Sequence, residues 1–214
     1  MDRIRRGQCQ RGSRALLQVA KRDIHNTTAA DFSFAVAPRL NAAGRISDMS
    51  IGVRALLTDD ASEALELALQ LDDLNQQRRE IEADMQSQAV AYLESLDTLS
   101  AHSDGPVGIC LFDKEWHPGV IGILASRVKA MVHSPVVAFA PDGENRLRGS
   151  ARSIEGFHMR DALEMIDRGH PQLLHRFGGH AMAAGLTINA EDYATFVAAF
   201  DQTASHLLNS DQLR

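Results

Sequence analysis

The sequence predicts an α/β domain at its C-terminal end, a mixed sheet with flanking helices, preceded by one long helix and a helical N-terminal segment. Three observations carry this. Beyond Pro106, short apolar runs and helical patterns follow one another in the order βαββαβα, which is the order of a compact α/β domain. Before it, neither Pro nor Gly interrupts the chain between Asp60 and Gly105. Residues 1–58 read as short helices and loops, without the two-residue alternation of strands.

Within 1–58, Pro38 and Gly44 bracket the segment Ala-Pro-Arg-Leu-Asn-Ala-Ala-Gly-Arg at 37–45 and predict an irregular loop there. Asp60 followed by Glu63 predicts a capping box that starts the long helix. Apolar residues recur at Leu67, Leu71, Leu74, Ile81, Met85 and Tyr92, with Arg78 and Gln88 filling the gaps. Continuous to Leu96, this helix is about 55 Å long. A connecting helix packed on its own domains is the expectation, and a self-associating coiled coil is the alternative. The texture changes at Ser103-Asp104-Gly105-Pro106, so the chain divides into 1–58, 59–104 and 105–214. In the last part, strands are expected at 106–112, 135–140, 145–153 and 183–188. Helices are expected from Pro118 to Met131, at 157–167 and at 191–207, the first with Pro at its favoured opening position.

Apolar residues make up 44 % of the 214, enough to bury a core, and the net charge of −6 excludes an indiscriminate polyanion binder. That average hides a separation of charge. Residues 1–25 carry seven Lys/Arg against two acids, and 59–104 carry two Arg against twelve acids. Arginines then return at 146, 148, 152, 160, 168 and 176, so an anionic ligand would be held locally, at chosen positions. With one Trp and two Tyr, a row of aromatic stacking platforms is not expected. The two cysteines, Cys9 and Cys110, stand far apart without a CxxC, which argues against a disulfide framework or zinc site and for a reducing cytoplasm. No apolar stretch reaches membrane-spanning length. The Arg-rich N-terminus runs into patterned sequence without a processing signal, against a transit peptide.

Residues two apart in a strand share a face. Arg146, Arg148, Ser150 and Arg152 therefore project together, with Leu147, Gly149 and Ala151 opposite. Three guanidiniums and a hydroxyl suit phosphate, and the small residues between them would let another backbone approach. A solvated edge strand is the competing reading. Phe177-Gly-Gly-His180 reads as a tight turn whose amides point at an anion, with His180 as a donor, or as a purely structural turn. Trp116-His-Pro-Gly-Val-Ile-Gly122 feeds a helix N-terminus, which attracts anions. Arg39, Asn41 and Arg45 lie in the first predicted loop. No Ser/His/Asp arrangement, P-loop or cluster with metal spacing can be drawn; His170, His175 and His180 stand five apart and share no helix face.

Taken together and in this order, Pro38-Arg-Leu-Asn-Ala-Ala-Gly-Arg45, the long acidic helix, Trp116-His-Pro-Gly-Val-Ile-Gly122, Gly149-Ser-Ala-Arg-Ser153 and Phe177-Gly-Gly-His180 resemble the DHH–DHHA1 phosphoesterase family. The resemblance spans nearly the whole chain. It implies a DHHA1-like sheet domain in a 5′-to-3′ single-stranded-DNA exonuclease of bacterial recombination and repair, dependent on Mn2+ or Mg2+. The family's Asp-His-His motif is missing, so the chain is expected to begin near the end of a DHH domain, with Met1 at a fragment boundary, and to stop before an OB-fold. The fragment would bind no metal and have no nuclease activity itself. Its partners would be single-stranded DNA and the missing DHH domain, with self-association through exposed surface.

The resemblance also implies roles. Ser150 and Arg152 match residues that hold the terminal 5′ phosphate, with Ser153 assisting and Arg146 and Arg148 beside them. Asn41 and Arg45 match a motif at the scissile phosphate, where Arg45 would offset developing charge. Gly178, Gly179 and His180 match the signature that contacts the DNA backbone, and His117 lies in the same cleft. Ala151 stands where the family more often has Gly. Trp116 is expected to pack beneath its loop. Two alternatives stay open: a non-catalytic nucleic-acid-binding or dimerisation module, and a family member acting on oligonucleotides or nucleotide phosphates.

Overall fold

In the computed structural model, the described residues are 1–99 and 105–208. The chain divides into two units, Met1–Ile81 and Glu82–Arg214. The division falls inside the long helix, whereas residues 100–104 of the expected boundary lie outside the described residues.

The first unit is helical: α1 (Asp2–Arg5), α2 (Arg11–Val19), α3 (Ala29–Asp31), α4 (Ala37–Ile46), α5 (Ser50–Leu57) and the beginning of α6 (Ala61–Leu99). Its core gathers Leu16, Leu17, Val36, Ala43, Ala55, Leu67 and Leu71. The loop expected at 37–45 is instead the helix α4, with Pro38 in its first turn. The fixed φ of Pro38 suits the helical backbone there. A five-residue π turn, Phe32–Val36, leads directly into it, and Ala37 N–H donates to Phe32 O five residues back. Arg39 anchors α4 to α6, its guanidinium donating to Asp72 Oδ1 at 2.7 Å and to Ala35 O at 2.7 Å.

The start of α6 follows the prediction in part. Asp60 Oδ1 accepts from the N–H groups of Ser62 (2.7 Å) and Glu63 (3.1 Å), as an N-cap does. Glu63 does not complete the box; its carboxylate accepts instead from the Thr58 hydroxyl at 2.5 Å and Arg54 at 2.7 Å. At 39 residues the helix is about 58 Å long. Leu67, Leu71 and Met85 of the predicted stripe are buried, but Tyr92 is exposed and the polar Asn75 and Glu82 are buried. The two halves of α6 contribute to different units.

In the second unit β1 (Ile109–Phe112), β2 (Val136–Pro141), β3 (Arg146–Arg152), β4 (Arg176–Gly179) and β5 (Ala183–Asn189) form one sheet in the order β1-β2-β3-β5-β4. β1 and β2 are parallel and the remaining pairs antiparallel, the expected mixed sheet. α7 (Ile121–Val132) packs on β2 and β3, and α8 (Met159–Gly169) and α9 (Tyr193–Leu207) build the other side. That side holds the main core: Phe139, Leu147, Ala151, Leu163, Leu186, Phe196 and Phe200. Phe139 meets Phe196 edge to face at 5.2 Å, and Phe196 stacks on Phe200 at 5.8 Å. Each such ring, fully buried, contributes about 1.5–3 kcal/mol.

Three expectations are corrected here. The helix after Pro118 begins only at Ile121, because Val120 N–H donates to His117 O at 3.0 Å and makes 117–120 a turn with Pro118 second. Residues 177–179 of the segment read as a turn, Phe177–His180, belong to the edge strand β4, so the order is βαββαββα. β3 is the central strand, which removes the edge-strand reading of its arginines.

Candidate nucleic-acid interface

β3 alternates as its residue types require. Leu147, Gly149 and Ala151 are buried, Arg146 and Arg148 are exposed, and Ser150 and Arg152 are half-buried. Gly149 does not make way for another backbone, as expected, but for its core neighbours: a Cβ there would lie 2.7 Å from both Phe139 and Leu186 side-chain carbons.

The partly covered end of the polar face lies beneath the first turn of α7. Arg152 Nη1 donates to Ser150 Oγ at 3.0 Å and to Ala151 O at 2.7 Å, while its Nε donates to Ser126 Oγ at 3.1 Å. Gly122 makes the room, since a Cβ there would stand 3.0 Å from Ser150 Oγ and 2.9 Å from Arg152 Nη2. A hydroxyl, a guanidinium and the opening turn of a twelve-residue helix thus converge, a combination suited to a phosphate. Ser126 was missed from sequence; its signal was its place one turn after Gly122, on the same side of α7.

The open end of the face follows from register. Ser150 pairs with Gly185 of β5, which pairs with Gly178 of β4. Two residues along, Arg148 pairs with Thr187, which pairs with Arg176. Arg148, Arg176, Gly178, Gly185 and Thr187 line a depression of about 410 Å³ that sets two guanidiniums against one carboxylate, Asp142.

The other predicted residues take different places. Gly179 has φ +150°, and a Cβ on it would fall 2.4 Å from Ala183 O, so this glycine is required to close the β4–β5 hairpin. His180 is exposed at the hairpin, its N–H donating to Ala183 O at 2.8 Å. His117 Nδ1 accepts from Gly119 N–H at 3.0 Å, which leaves Nε2 as the ring's donor. Ser153 is buried and donates to Phe157 O at 2.5 Å, committed to the turn after β3 rather than to its polar face. Trp116 is also buried, donating from Nε1 to Gln88 Oε1 at 2.7 Å, as a packing residue should. Asn41 and Arg45, four apart on α4, share an exposed helix face in the first unit.

The family model of the DHHA1 domain matches residues 104–206. These residues belong to the DHHA1 domain family. The DHHA1 domain and the segment before it are similar, over 99 % of the chain and at 50 % identity, to the single-stranded-DNA-specific exonuclease RecJ of Haemophilus influenzae. The Escherichia coli protein of that name is 49 % identical over 100 % of the chain. The chain spans only 36 % and 37 % of these relatives' lengths. Structures of Thermus thermophilus RecJ in complex with Mg2+ and with Mn2+ match with a TM-score of 0.77 and 31 % identity, over 96 % of this chain and 30 % or 28 % of theirs. The fold around the DHHA1 domain is therefore that of the RecJ structures, as the mixed sheet predicts.

Proposed function

We propose that this chain is the substrate-gripping portion of a metal-dependent, single-stranded-DNA exonuclease that works 5′ to 3′ in recombination and repair in the bacterial cytoplasm. The observation that carries the reading is the Ser150–Arg152 pair beneath the first turn of α7, in a chain whose relatives bear the name of such an exonuclease. The 5′-terminal phosphate is assigned to that pair. Arg146 and Arg148 add positive potential along the strand, and Gly178, Gly179, His180 and His117 line the path of the DNA backbone. Asn41 and Arg45 are assigned to the scissile phosphate, where Arg45 would stabilise charge on the phosphoryl oxygens.

A divalent cation supplies the hydrolytic chemistry in this reading, in keeping with the Mg2+ and Mn2+ of the solved relatives. The described residues do not fit one: among them no group of three or more His, Cys, Asp or Glu is placed to hold a metal ion. The chain alone is accordingly assigned grip without cleavage, and hydrolysis to a longer protein that includes a DHH domain. A second reading, self-association through the first unit, is favoured by the exposure of Phe34, Val53 and Leu57. A solution mass that rises with concentration would support it.

The deciding experiment is binding of labelled single-stranded DNA, with and without a 5′ phosphate, to the wild type and Arg152→Ala across a salt series. A 5′-phosphate preference lost in the variant, with a shallower salt slope, supports the reading. Equal, weak binding of both DNAs by both proteins sinks it.

A further inference from the structure

We infer that the open half of the sheet is a second phosphate subsite, in which Arg148 of β3 and Arg176 of β4 hold backbone phosphates of the bound strand across a floor of Gly178 and Gly185. This deepens the single-stranded-DNA reading above and rests on it. Sequence alone assigns no separate role to Arg176, Thr187 or Gly185; the register brings them together.

The argument begins with what the fold does not need. Glycine within a strand weakens it, and usually marks close approach by something else. A Cβ at Gly178 would meet nothing within 4 Å, and one at Gly185 would meet only Gly149 O, at 3.9 Å. Neither residue has a positive φ. Packing and backbone geometry therefore allow larger residues at both positions, and both are exposed on the polar face. What larger residues would fill is the space above the sheet.

The charges around that space specify its occupant. Arg148, Thr187 and Arg176 lie side by side on three neighbouring strands, so the two arginine Cα atoms stand about 10 Å apart, twice the strand spacing. The row of Ser150, Gly185 and Gly178 lies two residues along, about 7 Å away. A DNA strand that crosses the glycine floor brings a backbone phosphate between the two guanidiniums. The Thr187 hydroxyl lies between them as a further donor. Asp142 in the lining offsets one of the two guanidiniums and leaves the site a single excess positive charge. No base edge needs to be read, so the track is indifferent to sequence.

The test is the affinity of this chain for labelled oligothymidylate, with and without a 5′ phosphate, in Arg176→Ala, Gly185→Val and Arg152→Ala. Gly185→Val is the sharper probe, because Val favours a strand and the site is open. Its melting temperature should hold or rise while DNA affinity falls. Arg176→Ala should lose about tenfold in affinity and lower the salt slope by about one, for both DNAs alike. Arg152→Ala should instead abolish the preference for the 5′ phosphate. If Arg176→Ala and Gly185→Val bind as the wild type does while Arg152→Ala loses the preference, the subsite is overturned and the end-gripping reading stands. If the wild type fails to bind oligothymidylate, that reading fails and the subsite falls with it.

Discussion

Gly122 of α7 lies directly against Arg152 of β3, close enough that a Cβ on the glycine would stand 2.9 Å from the guanidinium Nη2. Arg152 Nη2 is the far end of a flexible side chain and Ser150 Oγ, 3.0 Å from the same Cβ, can turn about χ1, so the helix need not move. Gly122→Ala should keep or raise stability, since Ala gains up to about 1 kcal/mol over Gly inside a helix. It should nonetheless weaken binding of 5′-phosphorylated DNA by pushing Arg152 off Ser150. Melting temperature and DNA anisotropy, measured on one preparation, check the two halves. Undiminished binding would mean that the Ser150–Arg152 geometry is not what grips the phosphate.

Trp116 should prove structural. Trp116→Ala is expected to cost about 3–5 kcal/mol, as for other large buried side chains. Trp116→Phe keeps most of the packing and loses the hydrogen bond to Gln88, for about 1 kcal/mol. Urea unfolding measures both. A cycle with Gln88→Ala should return a coupling of about 0.5–1.5 kcal/mol if that bond links the loop to α6.

The cysteines should react in sequence. Burial pushes the Cys110 thiol well above its ordinary range, with Asp201 adding to the shift, so the reactive thiolate is suppressed. Cys9 is only half-buried. A thiol reagent at neutral pH should modify one cysteine in the native protein and the second only in denaturant, with peptide mapping assigning Cys9 first. Early labelling of Cys110 would show that β1 opens locally.

Acid should loosen the junction between α5 and α6. Hydrogen bonds from Thr58 and Arg54 hold the Glu63 carboxyl below its ordinary value of 4.5. A folded-state pKa depressed in this way contributes stability that is fully present above the unfolded value and is lost as pH falls through the folded one. Melting temperature should therefore decline as pH drops below about 4.5. Glu63→Gln should flatten that decline while lowering the plateau near neutrality. An unchanged acid limb would assign the loss to other carboxylates.

The polar face of β3 was legible because a two-residue period survives folding: Arg146, Arg148, Ser150 and Arg152 project together whichever neighbours pair with the strand. β4 was not legible. Arg-Phe-Gly-Gly has two strand-averse glycines and no alternation, and it is extended because β5 offers it a ladder. Missing that strand hid Arg176, and with it the row that Arg148 and Thr187 complete. Proline misled twice for the same reason: its fixed φ suits a turn and a helical first turn alike. At Pro38 a loop was expected and a helix formed, and at Pro118 the reverse. The start of α6 was read correctly at Asp60, whose carboxylate acts within three residues. Glu63 went elsewhere because Thr58 and Arg54 lay within reach, which local spacing does not encode.

The π turn at Phe32–Val36 works as an angular spacer. Each α-helical residue advances the chain by about 100°, so one surplus residue in a turn rotates everything downstream by that amount. The compass bearing of Asn41 and Arg45 is thus dialled in by residues nine to thirteen positions before Arg45. Removing one residue from this stretch would swing both side chains through more than a quarter-circle. A lineage that lengthens or shortens the chain here re-aims two polar side chains at a stroke, without altering either one.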